Sequence, residues 1–320
     1  MKFILILCLT SFVASTPDCH SCFFGVCYGR TRLFGGQKIS GQLAVDRSQN
    51  IIYFHYATHQ DKDHTGMYNL DDMIYSEIPG ISFTFARAVD ANNRDVYLSG
   101  TKGIYKYSHK LNATELHCLP DKTIWHMQYT NKLYYSIFSA AGLNTFENGR
   151  SSAISALKNY NIDDFVIDKL GDVYFLSDAA IYRLKNGTVG KLRNGMYSLS
   201  TDIHGNVYLA QSATNGVYKM DYGSDKIRGA GAFGAGTPLN FAFDRSNKVV
   251  YHDSDSDALY YLTPNYGKCR VTAKKTKTLG TLGKMRVTVT HEGNNSNGVA
   301  AVLDDDLISM QMFSSESDKE

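Results

Sequence analysis

Cys19-His-Ser-Cys22 and His252-Asp-Ser-Asp-Ser-Asp257 are two clusters in this 320-residue chain whose residue types and spacing suit chemistry. Two cysteines three apart fit a thiol–disulfide couple or half of a zinc site. No second Cys/His pair follows at a zinc-compatible distance, so a structural disulfide is the favoured reading. The alternating acids after His252 resemble the start of a calcium loop. Ala258 stands where the tight turn needs glycine, however, and Pro264 where the bidentate glutamate would be. A polar hairpin is expected there. The chain has no Gly-x-Ser-x-Gly elbow, His-Glu-x-x-His pair, P-loop or kinase set, and no nucleophile–base pair is legible. No catalytic residue, metal ligand or cofactor is therefore assigned.

The elements that would position a site come from an internal repeat. Six times a short apolar run reaches an acid or amide, crosses a polar turn and resumes at a tyrosine. The copies are Leu43-Ala-Val-Asp46 to Tyr53, Arg87-Ala-Val-Asp90 to Tyr97, a degenerate copy from Gln128 to Tyr134, Phe165-Val-Ile-Asp168 to Tyr174, Leu199-Ser-Thr-Asp202 to Tyr208, and Phe241-Ala-Phe-Asp244 to Tyr251. They start about 34 to 44 residues apart, a period that marks repeat architectures such as propellers. A second aromatic strand follows in Gly103-Ile-Tyr-Lys-Tyr107, Ala180-Ile-Tyr-Arg-Leu184, Gly216-Val-Tyr-Lys-Met220 and Ala258-Leu-Tyr-Tyr-Leu262.

Within a unit such as residues 85–118, apolar and polar residues alternate over short runs rich in Tyr, Val and Ile, with Gly, Asn and Asp between them. That is the signature of half-buried strands. The acid before each turn is placed to accept backbone N–H groups two residues on. One such sheet cannot bury both faces alone, whereas six packed around an axis can. The expected fold is all-β: a six-bladed β-propeller with a short Cys-containing N-terminal segment and a C-terminal β extension. The repeated Asp and Tyr are expected to be structural.

A propeller binds ligands at one end of its central channel. Counting back from each anchoring residue gives candidate rings on the innermost strands. Four before it lie Gln42, Ala86, Ile124, Asp164, Ser198 and Asn240. Three before it lie Leu43, Arg87, Trp125, Phe165, Leu199 and Phe241. Five before it lie Gly41, Phe85, Thr123, Asp163, Tyr197 and Leu239. Aromatic walls with a few hydrogen-bonding groups suit a flat, partly polar small molecule. The candidate ligand-binding residues are Phe85, Arg87, Trp125, Asp164, Tyr197 and Asn240.

A formal charge of +2 with 20% charged residues gives no basic stripe, so no nucleic-acid partner is expected. Residues 1–15 read as a secretory signal: Lys2, the apolar run from Phe3, then the small residues of Val13-Ala-Ser15. No later run approaches the length of a membrane span. The domains follow: signal 1–15, propeller 16–269, extension 270–320 with a disordered end. An exported protein meets an oxidising compartment. One disulfide is expected within Cys19, Cys22 and Cys27, and a second from that cluster to Cys269, because a propeller closes where its ends meet. Cys118 is then the free thiol. Glycosylation sequons stand at Asn112, Asn186 and Asn294.

With leader, cysteines and units in place, the chain resembles the insect ommochrome-binding proteins. The resemblance rests on Gly25-Val-Cys-Tyr28, Leu43-Ala-Val-Asp46 with Ile52-Tyr-Phe54, Phe85-Ala-Arg-Ala-Val-Asp90 with Asp95-Val-Tyr97, and Gly103-Ile-Tyr-Lys-Tyr107, and it covers about residues 22 to 262. It implies a secreted haemolymph carrier of a xanthommatin-like tryptophan metabolite, without enzyme activity or a membrane partner; a monomer is expected. No family motif for pigment contact is carried over. The chain is also similar in its repeats to gluconolactonase and strictosidine-synthase propellers. Such lactonases hold a divalent metal at the mouth of the inner strands, where only Asp163 could ligate here. An extracellular protein-interaction propeller is the third alternative, and it would need an exposed apolar patch.

Overall fold

Five aspartates turn the chain in the same way. Asp46, Asp90, Asp168, Asp202 and Asp244 each accept, at Oδ1, the backbone N–H two residues on, at 2.8–3.1 Å. A carboxylate held like this fixes a tight connection between antiparallel strands. All five are buried, as are Tyr53, Tyr97, Tyr174, Tyr208 and Tyr251 that follow them. The repeated acid and tyrosine are thus structural, as their repetition implied.

The structure, a computed structural model, describes residues 19–23, 25–211, 214–234 and 238–265. The leader, Cys269, Asn294 and the expected C-terminal extension lie outside them. Two strands come first, β1 (Ser21–Phe23) and β2 (Val26–Gly35). The first unit is β3 (Lys38–Asp46), β4 (Ile51–Ala57), β5 (Asp63–Asn69) and β6 (Ile74–Glu77). The second is β7 (Arg87–Asp90), β8 (Asp95–Gly100), β9 (Gly103–Ser108) and β10 (Ala113–Cys118). The third is β11 (Ile124–Tyr129), β12 (Leu133–Ile137), β13 (Asn144–Glu147) and β14 (Arg150–Ala153). The fourth is β15 (Asp164–Ile167), β16 (Val173–Ser177), β17 (Ala180–Lys185) and β18 (Thr188–Asn194). The fifth is β19 (Met196–Thr201), β20 (Val207–Gln211), β21 (Gly216–Met220) and β22 (Arg228–Ala232). Last come β23 (Pro238–Phe243), β24 (Val249–Asp253) and β25 (Ala258–Asn265). Every pairing is antiparallel, and the described residues hold one short 3-10 turn, Ser155–Leu157.

The first four units are separate four-stranded sheets, and the rest merge into one of nine strands, β19-β20-β21-β22-β1-β2-β25-β24-β23. The sixth unit is therefore β23, β24 and β25 with β2 as its outermost strand, so the N-terminal segment supplies that strand. The inner strands β3, β7, β11, β15, β19 and β23 touch in succession, and β23 returns to β3. That closed ring of six is the β-propeller. Apolar side chains fill the gaps between neighbouring sheets. Ile39, Leu43, Ile52 and Phe54 of the first pack on Val250, Leu259 and Tyr261 of the last. Burying each such aliphatic or phenyl group contributes about 1.5–3 kcal/mol.

One unit departs from the sequence reading. Ala88 pairs with Tyr97, Val166 with Tyr174 and Ser200 with Tyr208, in each case two residues before the anchoring acid. In the third unit Tyr134 pairs with Gln128 itself. The turn residue there is Thr130, whose N–H donates to the Lys132 carbonyl as Asp168 does to Asp172. The ring positions in this unit move by two residues: His126 replaces Ile124, Met127 replaces Trp125, and Trp125 takes the place given to Thr123.

Candidate ligand-binding mouth

The corrected register puts Trp125 level with Phe85, each five residues before its turn. The two rings stack, with centroids 4.3 Å apart and planes 24° from parallel. Phe138, which follows β12 and is 54% exposed, lies 5.3 Å from Trp125 on a tilted plane. The indole N–H donates to the Asp163 carbonyl at 2.8 Å, pinning the ring to the next blade. Asp163 and Tyr197 hold the same ring position in the fourth and fifth units. Burial, then the neighbouring Asp178, pushes the Asp163 carboxyl above its usual range. The Tyr197 hydroxyl is buried without a hydrogen-bond partner among the described residues, and burial raises its pKa too. Gly41 holds this position in the first unit at φ +70°. A Cβ there would meet the Phe85 carbonyl oxygen at 2.4 Å, so glycine is what lets the first two blades approach.

One residue further in, polar side chains stitch blade to blade. Gln42 accepts from the backbone N–H of Arg87 and of Met127, each at 3.2 Å, and donates to the Met127 carbonyl at 2.7 Å. Asp164 accepts from Leu199 N–H at 3.0 Å, and Asn240 donates to the Gly41 carbonyl at 2.9 Å. Inner strands present unpaired backbone groups toward the axis, and these contacts satisfy them. At the far end of the channel Arg47 does the same work, donating to the carbonyls of Phe243, Asp202 and Thr201.

Two candidates sit deep. Arg87 is fully buried, donating to the carbonyls of Gln42 and Thr84 and to the Thr84 hydroxyl, while its Nε finds no partner among the described residues. Burial alone lowers its guanidinium below the usual value. Asp164 Oδ1 lies 3.1 Å from His126 Nε2, without the alignment of a hydrogen bond. Burial pushes the Asp164 carboxyl up to about 7 and the His126 imidazole down to about 3. At neutral pH this imidazole is therefore uncharged, and the carboxyl is poised between its two forms.

Phe85 and Trp125 are thus brought together at the rim. Arg87 and Asp164 lie beneath it, Asn240 joins the last blade to the first, and Tyr197 stands on the fifth. His126 and Phe138 escaped the sequence reading, the first hidden by the shifted register and the second carrying no motif. Gln42 stands in the predicted ring four before the anchor but not among the candidate ligand-binding residues. A further polar cluster also escaped it: Ser40 Oγ, His55 and Asp63 are in hydrogen-bond contact on the first blade. Among the described residues no three His, Cys, Asp or Glu side chains converge as a metal site. Of the His252–Asp257 segment, His252 and Asp253 end β24 and the other four residues form the β24–β25 hairpin turn.

Cys22 and Cys27 form the expected disulfide across β1 and β2, and Cys118 is a buried free thiol. Cys19 is disulfide-bonded as well. Its neighbour Asn265 ends β25 and donates to Cys19 Sγ at 3.8 Å. Asn112 and Asn186 are exposed at the tips of the β9–β10 and β17–β18 hairpins. Strand alternation puts both tips at the end of the ring opposite Trp125. No helix among the described residues is long and apolar enough to cross a membrane.

Closed rings of four-stranded sheets define the β-propellers, and solved structures agree. A gluconolactonase from Xanthomonas campestris superposes with a TM-score of 0.58 at 11% identity, over 78% of this chain and 96% of that one. A putative gluconolactonase gives 0.56 at 11% identity, over 75% and 93%. A Bacteroides thetaiotaomicron protein of unknown function gives 0.56 at 14% identity, over 78% and 75%. At such identity these likenesses establish the fold. No family model matches the chain. The sequence is 25% identical over 238 residues to the Ommochrome-binding protein of Manduca sexta, covering 72% of this chain and 86% of the relative. The resemblance to the ommochrome-binding proteins is borne out by that match.

Proposed function

We propose that this protein is a secreted, monomeric carrier that reversibly binds an ommochrome-type pigment, a xanthommatin-like tryptophan metabolite, at the mouth formed by Phe85, Trp125 and Phe138. The observation that carries the reading is the aromatic cluster itself. Its rings stand at one end of the channel, and Phe138 is half in solvent. A fused tricyclic ring gains from offset stacking on such a surface. The similarity to a protein named for ommochrome binding supports the ligand class.

In this reading Phe85, Trp125 and Tyr197 cover the faces of the ligand. Its amino-acid arm and ring carbonyls meet Arg87, Asp164 and Asn240. Arg87 Nε and the Tyr197 hydroxyl have no hydrogen-bond partner among the described residues, and Asp164 Oδ1 has only the poorly aligned His126 imidazole. A buried polar atom is costly to leave unpaired, so polar groups of a ligand have a reason to seek these three. The pigment is bound and released rather than transformed, and glycans at Asn112 and Asn186 leave the mouth clear. Titration with xanthommatin, read by quenching of the lone tryptophan, tests the reading. Absence of saturable binding at micromolar pigment would pass the case to a protein-interaction role.

A further inference from the structure

Ser40, His55 and Asp63 lie in line on the first blade, beside Gly41 of the mouth. Ser40 Oγ is 2.8 Å from His55 Nδ1, and His55 Nε2 is 3.0 Å from Asp63 Oδ1. Sheet register produces the alignment. Ser40 is the direct cross-strand partner of His55, and Asp63 opens β5 opposite Ala57, two residues beyond His55. The imidazole is buried with Phe83 edge-on at 5.3 Å, while Ser40 and Asp63 are each only half-buried. Hydroxyl, imidazole and carboxylate in this order are what activation of a serine requires. An ionised Asp63 holds the proton on Nε2, which leaves Nδ1 as the acceptor facing the hydroxyl.

Surroundings add a positive charge. Burial first, then the Arg87 guanidinium, holds His55 well below its usual pKa, so the imidazole is an uncharged acceptor at neutral pH. Among the described residues Arg87 meets no carboxylate, and its Nε–H is unpartnered. A fixed, buried cation of this kind favours negative charge developing near it. The same surroundings make His55 a weak base, which restricts the chemistry to substrates with good leaving groups.

We propose that Ser40 is an acyl-accepting nucleophile with His55 as its general base and Asp63 as the residue that positions His55, giving the protein an esterase activity toward activated esters in addition to pigment binding. Ser40 Oγ adds to the ester carbonyl carbon as its proton passes to His55 Nδ1. Collapse of the adduct breaks the bond to the alcohol oxygen, and the alcohol leaves with that proton. Water then adds to the acyl-serine, giving a proton to His55. The acid departs as Ser40 Oγ takes the proton back.

The test uses the purified full-length protein with a fluorophosphonate, which phosphonylates activated serines, followed by intact mass and peptide mapping. One adduct is expected, on Ser40, and it disappears in Ser40→Ala. Labelling should slow about a hundredfold in His55→Asn, the low end of a general base's contribution. Asp63→Asn, at a half-exposed carboxylate, provides a second slowed variant if the buried histidine change unfolds the sheet. Hydrolysis of p-nitrophenyl acetate should persist in chelator. Wild-type protein that takes no adduct on Ser40, or folded His55 and Asp63 variants that label at the wild-type rate, would overturn the assignment.

Discussion

Trp125 lies against Phe85, 4.3 Å between centroids, because the two residues occupy the same position in successive blades. Neighbouring inner strands pack side by side, so equivalent residues meet, and the channel's mouth acquires an aromatic rim. The indole is then fixed by its bond to the Asp163 carbonyl. A platform held at both its face and its edge is preorganised, and less of the binding energy is lost to ordering it.

Gln42 is the side chain that joins the first three blades. Gln42→Leu removes the acceptor for two backbone N–H groups and should lower unfolding stability by about 1–3 kcal/mol. Urea unfolding followed by tyrosine and tryptophan fluorescence measures it. A midpoint equal to wild type would contradict the bridging role.

His126 and Asp164 should make opposite contributions to stability as pH changes. The folded Asp164 carboxyl stands above its unfolded value, so the unfolded chain releases its proton first; stability from this group is complete at low pH and is lost as pH rises toward about 7. The folded His126 stands below its unfolded value, so its stability is complete at neutral pH and is lost as pH falls toward about 3. Between the unfolded pKa values of about 4 and 6.5 the two slopes oppose. His126→Gln should therefore make stability fall more steeply with rising pH in that window, and Asp164→Asn should make it rise more steeply. Melting temperatures of both variants from pH 4 to 7 decide this; identical pH slopes would contradict it.

The Cys118 thiol is buried at the end of β10, and burial pushes its pKa up to about 11. Alkylation needs the exposed thiolate. At pH 8 iodoacetamide should leave the Cys118 peptide unmodified in native protein and modify it fully in denaturant. Rapid native modification would contradict the close packing of Cys118 between the second and third blades.

The propeller was legible in the sequence because its anchor is local. Each acid bonds an amide two residues away, so the motif survives as a short string in five of the units. The third unit has Thr130 where the others have aspartate. Its register is set by pairing with β12 and cannot be read from spacing, so counting back from Gln128 puts Trp125 two residues away from its true level. The Ser40–His55–Asp63 line was illegible for a related reason. Its spacings come from strand register and turn length, which leave no fixed pattern along the chain. The N-terminal closure could be anticipated from the cysteines, but that β2 itself forms the last blade's outer strand appears only in the pairing with β25.

The central claim is that a flat pigment sits on the Trp125 platform. Trp125 is the chain's single tryptophan, so its emission reports on that surface alone. Purified protein titrated with xanthommatin should show saturable quenching of Trp125 together with a shift of the pigment's visible band. Trp125→Ala, followed through that visible band, should bind about two- to tenfold more weakly, the loss expected from one aromatic stack. Unquenched emission through micromolar pigment, or an affinity unchanged by Trp125→Ala, would contradict the account.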